Sequence, residues 1–199
     1  MALITLPSQD FEKLTVELDQ NFQVNRSEWT GRRRITGMPG LQKWYVSASI
    51  PALTTEMEER PWRAFFAAAR GPVNSFAIQV ACSQRTGSNP TVRAGATAGN
   101  TLPVAGMPAS ATVLQAGQYL TAILPSGRWR LLLLTADLTS NSSGLGTASF
   151  EPALTEIPAT GSSVETIDPF IVCSLLEGRQ GWTVDNGVTA ITIAAEEAL

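Results

Sequence analysis

Residues 44–78 read WYVSASIPALTTEMEERPWRAFFAAARGPVNSFAI, and the periodicity changes twice along them. Trp44, Val46, Ala48 and Ile50 alternate with Tyr45, Ser47 and Ser49, the period of two of a strand with one buried face. Pro51 stops that ladder. Thr55 with Glu58 three residues on has the spacing of a capping box, whereas Pro61 would delete a backbone hydrogen bond inside a helix. The pattern therefore predicts a short capped turn over Thr55–Arg60 and a main helix that begins at Pro61. Trp62, Phe65, Phe66 and Ala69 fall at i, i+3, i+4 and i+7, one aromatic stripe with Arg63 and Arg70 off it, and Gly71-Pro72 ends the helix. Phe76, Ile78, Val80 and Cys82 then resume the period of two. A helix set between two strands has its stripe packed on their sheet, so Trp62, Phe65, Phe66 and Ala69 are read as structural.

Outward from this unit the composition shifts. Residues 84–110, QRTGSNPTVRAGATAGNTLPVAGMPAS, have almost no large apolar side chains and read as linker and loop. Short strands follow in TVLQAGQYLTAIL, RWRLLLLTADL and TASFEPAL, separated by turns at Pro125-Ser126-Gly127 and Asn141–Gly146. DPFIVCSLLE is apolar on both faces, as a central strand is, and the C-terminal stretch reads as a hairpin around Asn186-Gly187, flanked by Val184 and Val188. If the strands at Phe76–Cys82 and Phe170–Leu176 share a sheet, residues 86–162 are a small β domain inserted into an outer domain of 1–85 and 163–199.

With 199 residues, 44% of them hydrophobic, the chain can bury a real core. A net charge of −3 and a pI near 5.0 argue against a dedicated nucleic-acid binder. Twelve arginines against two lysines favour dry, packed interfaces, where a guanidinium pairs bidentately. The longest apolar run, WRLLLLTADL, is interrupted by Arg130 and Asp137 and is far short of a membrane span, and MALITLPSQDFEKL lacks the features of a secretory leader. The expectation is a soluble chain made in the cytoplasm, with Cys82 and Cys173 as two buried thiols.

The chain contains no histidine, which removes Ser-His-Asp and Cys-His nucleophile systems and HExxH zinc sites. No Gly-Lys pair forms a phosphate loop, and no metal or cofactor is expected. Paired carboxylates are the only open catalytic option. Glu56, Glu58 and Glu59 suit the helix N-terminus, Glu151 and Glu156 suit surface loops, and Glu196 and Glu197 are terminal. Trp129 and Tyr119, the large aromatics of the inserted segment, read either as core or as a stacking platform for carbohydrate. In TGRRRITGMPG, residues 30–40, the cluster Arg32, Arg33 and Arg34 reads either as a charged hairpin that docks on an acidic partner or as a solvated loop.

The order RSEWTGRRRITG, KWYVSASIPALTTEMEERPWRAFFAAARGPVNSF, LQAGQYLTAI, RWRLLLLTADLTSNSSGLGTASFEPAL and GWTVDNGVTAITIAAEEAL resembles tailed-phage structural proteins of the distal tail protein type, over nearly the whole chain. The family pattern of a Trp-bearing strand, a Pro-Leu-Thr-type turn, a PWRAF helix and a strand near a phenylalanine is matched at Trp44, Pro51–Thr54, Pro61–Gly71 and Phe76. Leu114–Leu120 matches its LxAGDYL-like segment with Gln118 in the acidic position, and Gly146–Leu154 matches another, without the arginine usual after Pro-x-Leu. The resemblance implies a mainly β, tail-tube-like sandwich with one flanking helix and an inserted β domain. It also implies a virion protein, assembled in the host cytoplasm as a ring, usually of six copies, between the tail tube protein and the hub or tip proteins. On that reading the chain is no enzyme. The runners-up are a carbohydrate- or receptor-binding module and a hydrolase using paired carboxylates.

Overall fold

A computed structural model describes residues 2–38 and 42–199, so Pro39 and Gly40, the end of the arginine stretch, lie outside the described residues. The chain is mainly β, 47% strand and 9% helical, with one α-helix among the described residues, as its alternating runs predict. The first unit comprises β1 (Leu3–Ile4), β2 (Lys13–Asp19), β3 (Phe22–Arg26), β4 (Arg33–Gly37), β5 (Lys43–Leu53), α1 (Glu56–Ala69) and β6 (Ser75–Gln79). A second run holds β7 (Thr91–Val92), β8 (Gly99–Ala105), β9 (Thr112–Leu114), β10 (Tyr119–Ile123), β11 (Trp129–Leu134), β12 (Leu138–Thr139), β13 (Gly146–Leu154) and β14 (Val164–Glu165). The chain ends with β15 (Phe170–Leu175), β16 (Trp182–Asp185) and β17 (Val188–Glu197).

Sheet one runs β1-β6-β15-β17-β5-β2, with β16 alongside β17, and only β1 and β6 pair in parallel. Alternation assigns Trp44, Val46, Ala48 and Ile50 to its inner face, joined by Ile191, Ile193, Ile171, Cys173, Phe76 and Ile78 in one core. Helix α1 lies on that face with Trp62, Phe65, Phe66 and Ala69 buried. Phe65 is the centre of the stripe, with ring centroids 5.9 Å from Trp62, 5.5 Å from Phe66 and 5.1 Å from Phe76, all edge-on. Burying each such side chain is worth about 1.5–3 kcal/mol.

The helix starts earlier than its proline suggests. The Thr55 hydroxyl accepts from the Glu58 N–H while the Glu58 carboxylate accepts from the Thr55 N–H, so the capping box opens α1 at Glu56 and Pro61 stands inside it. One missing N–H is tolerated because the cap and the Glu56–Arg60 ion pair hold the first turns and the stripe holds the rest. At the other end Arg70 takes the left-handed conformation and Gly71 follows at φ +63°. A Cβ on Gly71 would fall 2.9 Å from Gly178 Cα, so the helix end and the loop before β16 touch backbone to backbone.

Sheet two runs β14-β10-β11-β13-β8-β7, with β9 and β12 paired beside it. The stretch read as linker contributes β7 and the seven-residue β8, a correction to the sequence reading. Gly99, Asn100 and Thr101 hide the alternation, and only Leu102 and Val104 supply its buried face. TVLQAGQYLTAIL is likewise two strands, β9 and β10, separated by a turn at Gln115–Gln118 with Gly117 at φ +87°. Beyond Ser162, β14 still belongs to this sheet.

The run in β11 is apolar throughout because both faces are covered. Leu132 and Leu134 enter the core of sheet two with Leu120 and Phe150, whereas Leu131, with Leu133 and Tyr119, packs into the core of sheet one. The segments joining the sheets are stitched together. Val80, Gln84 and Val92 N–H groups donate to the Pro169, Ile167 and Ser162 carbonyls, and the Gln84 side-chain amide bonds both backbone groups of Tyr119. Cys173 is buried but Cys82 is exposed, correcting the reading of two buried thiols, because β6 ends at Gln79 and the alternation does not continue to residue 82.

Candidate functional site: an exposed arginine-bearing arm

Strands β2 and β5 are antiparallel neighbours, Asp19 opposite Lys43, and the chain between them leaves the sheet as a hairpin built from β3 and β4. The pairing places Phe22 opposite Gly37, Val24 opposite Ile35 and Arg26 opposite Arg33 on one face, and Gln23 opposite Thr36 and Asn25 opposite Arg34 on the other. At the tip the Ser27 N–H donates to the Arg32 carbonyl and the Gly31 N–H to the Ser27 carbonyl, with Gly31 at φ +67°. Every residue of both strands is exposed, and Trp29 at the tip is 97% exposed.

Three properties set this arm apart. A two-stranded hairpin alone is marginal in water, so an arm with no core of its own is suited to being covered. Its one face is apolar, with Phe22, Val24 and Ile35 all exposed, and that face ends in two arginines placed directly opposite each other, a repulsive pairing unless an anion comes between them. Residues 22–37 carry four arginines and one glutamate, a net charge of +3, so the rest of the chain, at −3 overall, carries −6. Arg32, Arg33 and Arg34 thus stand together on the arm, Arg32 at the turn and Arg33 and Arg34 in β4, all exposed. The arginines were legible in the sequence. The apolar side was missed, although the alternation of Phe22 and Val24 with Gln23 and Asn25 carries it.

Most of the other candidate residues have structural partners, and Glu151, read as a loop residue, instead lies within β13 opposite Leu133, where the strand's pairing with β11 carries it. The carboxylates of Glu56, Glu58 and Glu59 pair with Arg60, with the helix cap and with Arg63, and Glu59 also accepts the Thr189 hydroxyl at 2.5 Å. Glu156 accepts from the Ser126 N–H, and Glu196 pairs with Lys43 at 3.6 Å. Glu197 is 1% exposed between the two sheets, held by Arg130 at 2.5 Å and by the N–H groups of Leu131 and Trp44. Burial raises its carboxyl to about 7, against the opposing pull of Arg130, and the same burial lowers the Arg130 guanidinium. Arg130 also donates to the Gln42 carbonyl, and the Trp44 ring N–H donates to the Leu131 carbonyl, so these groups form a clasp across the sheets. The sequence reading takes Glu196 and Glu197 only as terminal, yet the period of two through Ile191, Ile193 and Ala195 in β17 carries Glu197 onto the buried face and leaves Glu196 half-buried.

Tyr119 is half-buried with its ring edge-on to Trp44 at 6.1 Å, and the Trp129 ring lies on Phe170 at 5.1 Å beside a cleft that Ser126, Arg128 and Ser75 also line. Among the described residues no group of three or more His, Cys, Asp or Glu could hold a metal ion, and no helix is long and apolar enough to cross a membrane. A scan against models of known protein families gives no match, and neither does a search of curated proteins.

Proposed function

We propose that this chain is a structural subunit of a phage tail, forming a closed ring, most simply of six copies, at the distal end of the tail tube between the tube protein and the hub or tip proteins. The observation that carries the reading is the β3–β4 arm, with an apolar face and four arginines exposed along its whole length. An arm of that kind is stable and soluble when it lies on a neighbouring subunit, which shields Phe22, Val24 and Ile35 and supplies anions to Arg26 and Arg33. Strand β2 adds support, because it is seven residues long, pairs only with β5 and ends the sheet on that side. Neighbours around a ring cover such edges, and cyclic symmetry lets every copy both give and receive an arm. The tail-tube-like sandwich, the outward-facing second sheet and the absence of catalysis belong to the same proposal and rest on the sequence resemblance.

The test is native mass spectrometry of the full chain at micromolar concentration together with cryo-electron microscopy of the particle. A closed oligomer with a central hole, seen in solution or at the tail end, is the expected result. A strict monomer in both settings overturns it.

A further inference from the structure

The arm leaves the molecule at the Asp19–Lys43 end of sheet one. At the other end of β5, ten residues and about 33 Å away, a cleft of about 360 Å³ opens between the N-terminal segment, the end of β5 and the start of α1. Its walls are apolar, with Pro7, Ile50, Pro51 and Trp62 among them, and Asp10 and Glu58 stand in it as carboxylates. Asp10 is exposed, and beyond the Ser8 hydroxyl that it accepts it has free acceptor capacity.

We infer that this cleft receives the arm tip of a second copy, with the Trp29 indole between the prolines and the flanking arginines on Asp10 and Glu58. This rests on the ring reading in one respect, that the partner is another copy of the same chain. Shape and charge both favour that occupant. A fully exposed indole next to arginines is the side-chain pair most enriched at the energetic centres of interfaces, and a proline-lined cleft offers it an apolar floor and, at its rim, carboxylate oxygens left open by the Ser8 hydroxyl and the helix cap. The arm carries +3 and the remainder −6, so copies attract arm to body. Because giver and receiver sit at opposite ends of β5, the contact is head-to-tail, the kind that closes into a ring when the rotation per copy allows.

Two variants separate the halves of the contact. Trp29→Ala removes the tip and leaves the cleft, and Ser8→Trp fills the cleft and leaves the tip. Asp10→Arg, on an exposed side chain, is a second block of the cleft should Ser8→Trp fold poorly. By native mass spectrometry each variant alone is expected to need at least about tenfold higher concentration to assemble. Mixed in equal amounts, the two should form a one-to-one dimer and stop, since only one productive tip–cleft pair exists between them. If the wild-type chain assembles and both variants assemble as well as it does, the pairing is overturned and the ring reading stands. If both variants lose assembly but the mixture stays monomeric, the arm docks elsewhere and the cleft assignment is overturned. A wild-type chain that stays monomeric at every concentration overturns the ring reading and the pairing with it.

Discussion

Two hairpins of this molecule expose a tryptophan, and they differ in what lies beneath it. In the β16–β17 hairpin, Trp182 is stacked on Phe66 of α1 at 6.4 Å, Arg63 sits 5.4 Å over the ring, and Thr189 bonds the buried Glu59. Its two-residue Asn186-Gly187 turn, with φ of 48° and 79°, matches the twist of the strands it joins. The β3–β4 hairpin has no helix beneath it, and Trp29 is 97% exposed against 41% for Trp182. The first hairpin is finished by its own chain, and the second, on the ring proposal, is finished by a neighbouring copy. Exposure of an aromatic residue is therefore compatible with a platform in its own chain, as at Trp182, and Trp29 differs in having none beneath its hairpin.

Removing the platform should show the largest effect. Phe66→Ala takes away both a core ring and the support of Trp182, and it should cost about 3–5 kcal/mol in denaturant unfolding, with amide exchange quickened along residues 182–188. A cost below 1 kcal/mol would erase the contrast between the hairpins. The next effect concerns the clasp beside the arm's root. Glu197 is raised to about 7 in the folded chain from the ordinary 4.5, so the folded protein holds a proton that the unfolded chain releases. Stability from this group is fully present below pH 4.5, falls as pH rises to 7 by at most about 3 kcal/mol, and is level above. In Glu197→Gln that fall should be absent, so it should appear as the difference between the wild-type and variant stabilities measured by denaturant unfolding across this pH range.

Thr189→Val keeps the shape of the pinned hairpin and removes the hydroxyl that Glu59 accepts, so a loss of about 1–2 kcal/mol is expected, measured by thermal melting. The smallest effect belongs to the arm. Replacing Arg32, Arg33 and Arg34 together by Ala should move Tm by no more than the equivalent of about 0.5 kcal/mol while weakening assembly in a salt-sensitive way. A large Tm drop would mean that the arm is already braced within one chain.

How legible each element was follows from what its residues must do. β5 and the stripe of α1 could be read because their periods are set by one buried face, and the last hairpin because Asn186-Gly187 is turn chemistry that few other pairs supply. The capping box at Thr55 and Glu58 was legible, but the helix start was misplaced because Pro61 reads locally as a break, while the packing of the Trp62–Ala69 stripe that carries the helix through it is a tertiary effect. β8 was hidden by small residues that tertiary pairing with β13 recruits. The arm showed its charge, and a hairpin was one of its two readings; its apolar face, set by the alternation of Phe22 and Val24 with Gln23 and Asn25, was not drawn because the cluster of arginines dominates the stretch.

The double burial of β11 has a thermodynamic consequence. Leu131 and Leu132, adjacent in the chain, belong to different cores, so neither sheet can melt without uncovering side chains of the other. The strand acts as a party wall between two rooms: heat should take the whole molecule in a single calorimetric transition, and a chain cut back to sheet one alone would face water with the inner side of Trp44 and an unmatched charge at Glu197.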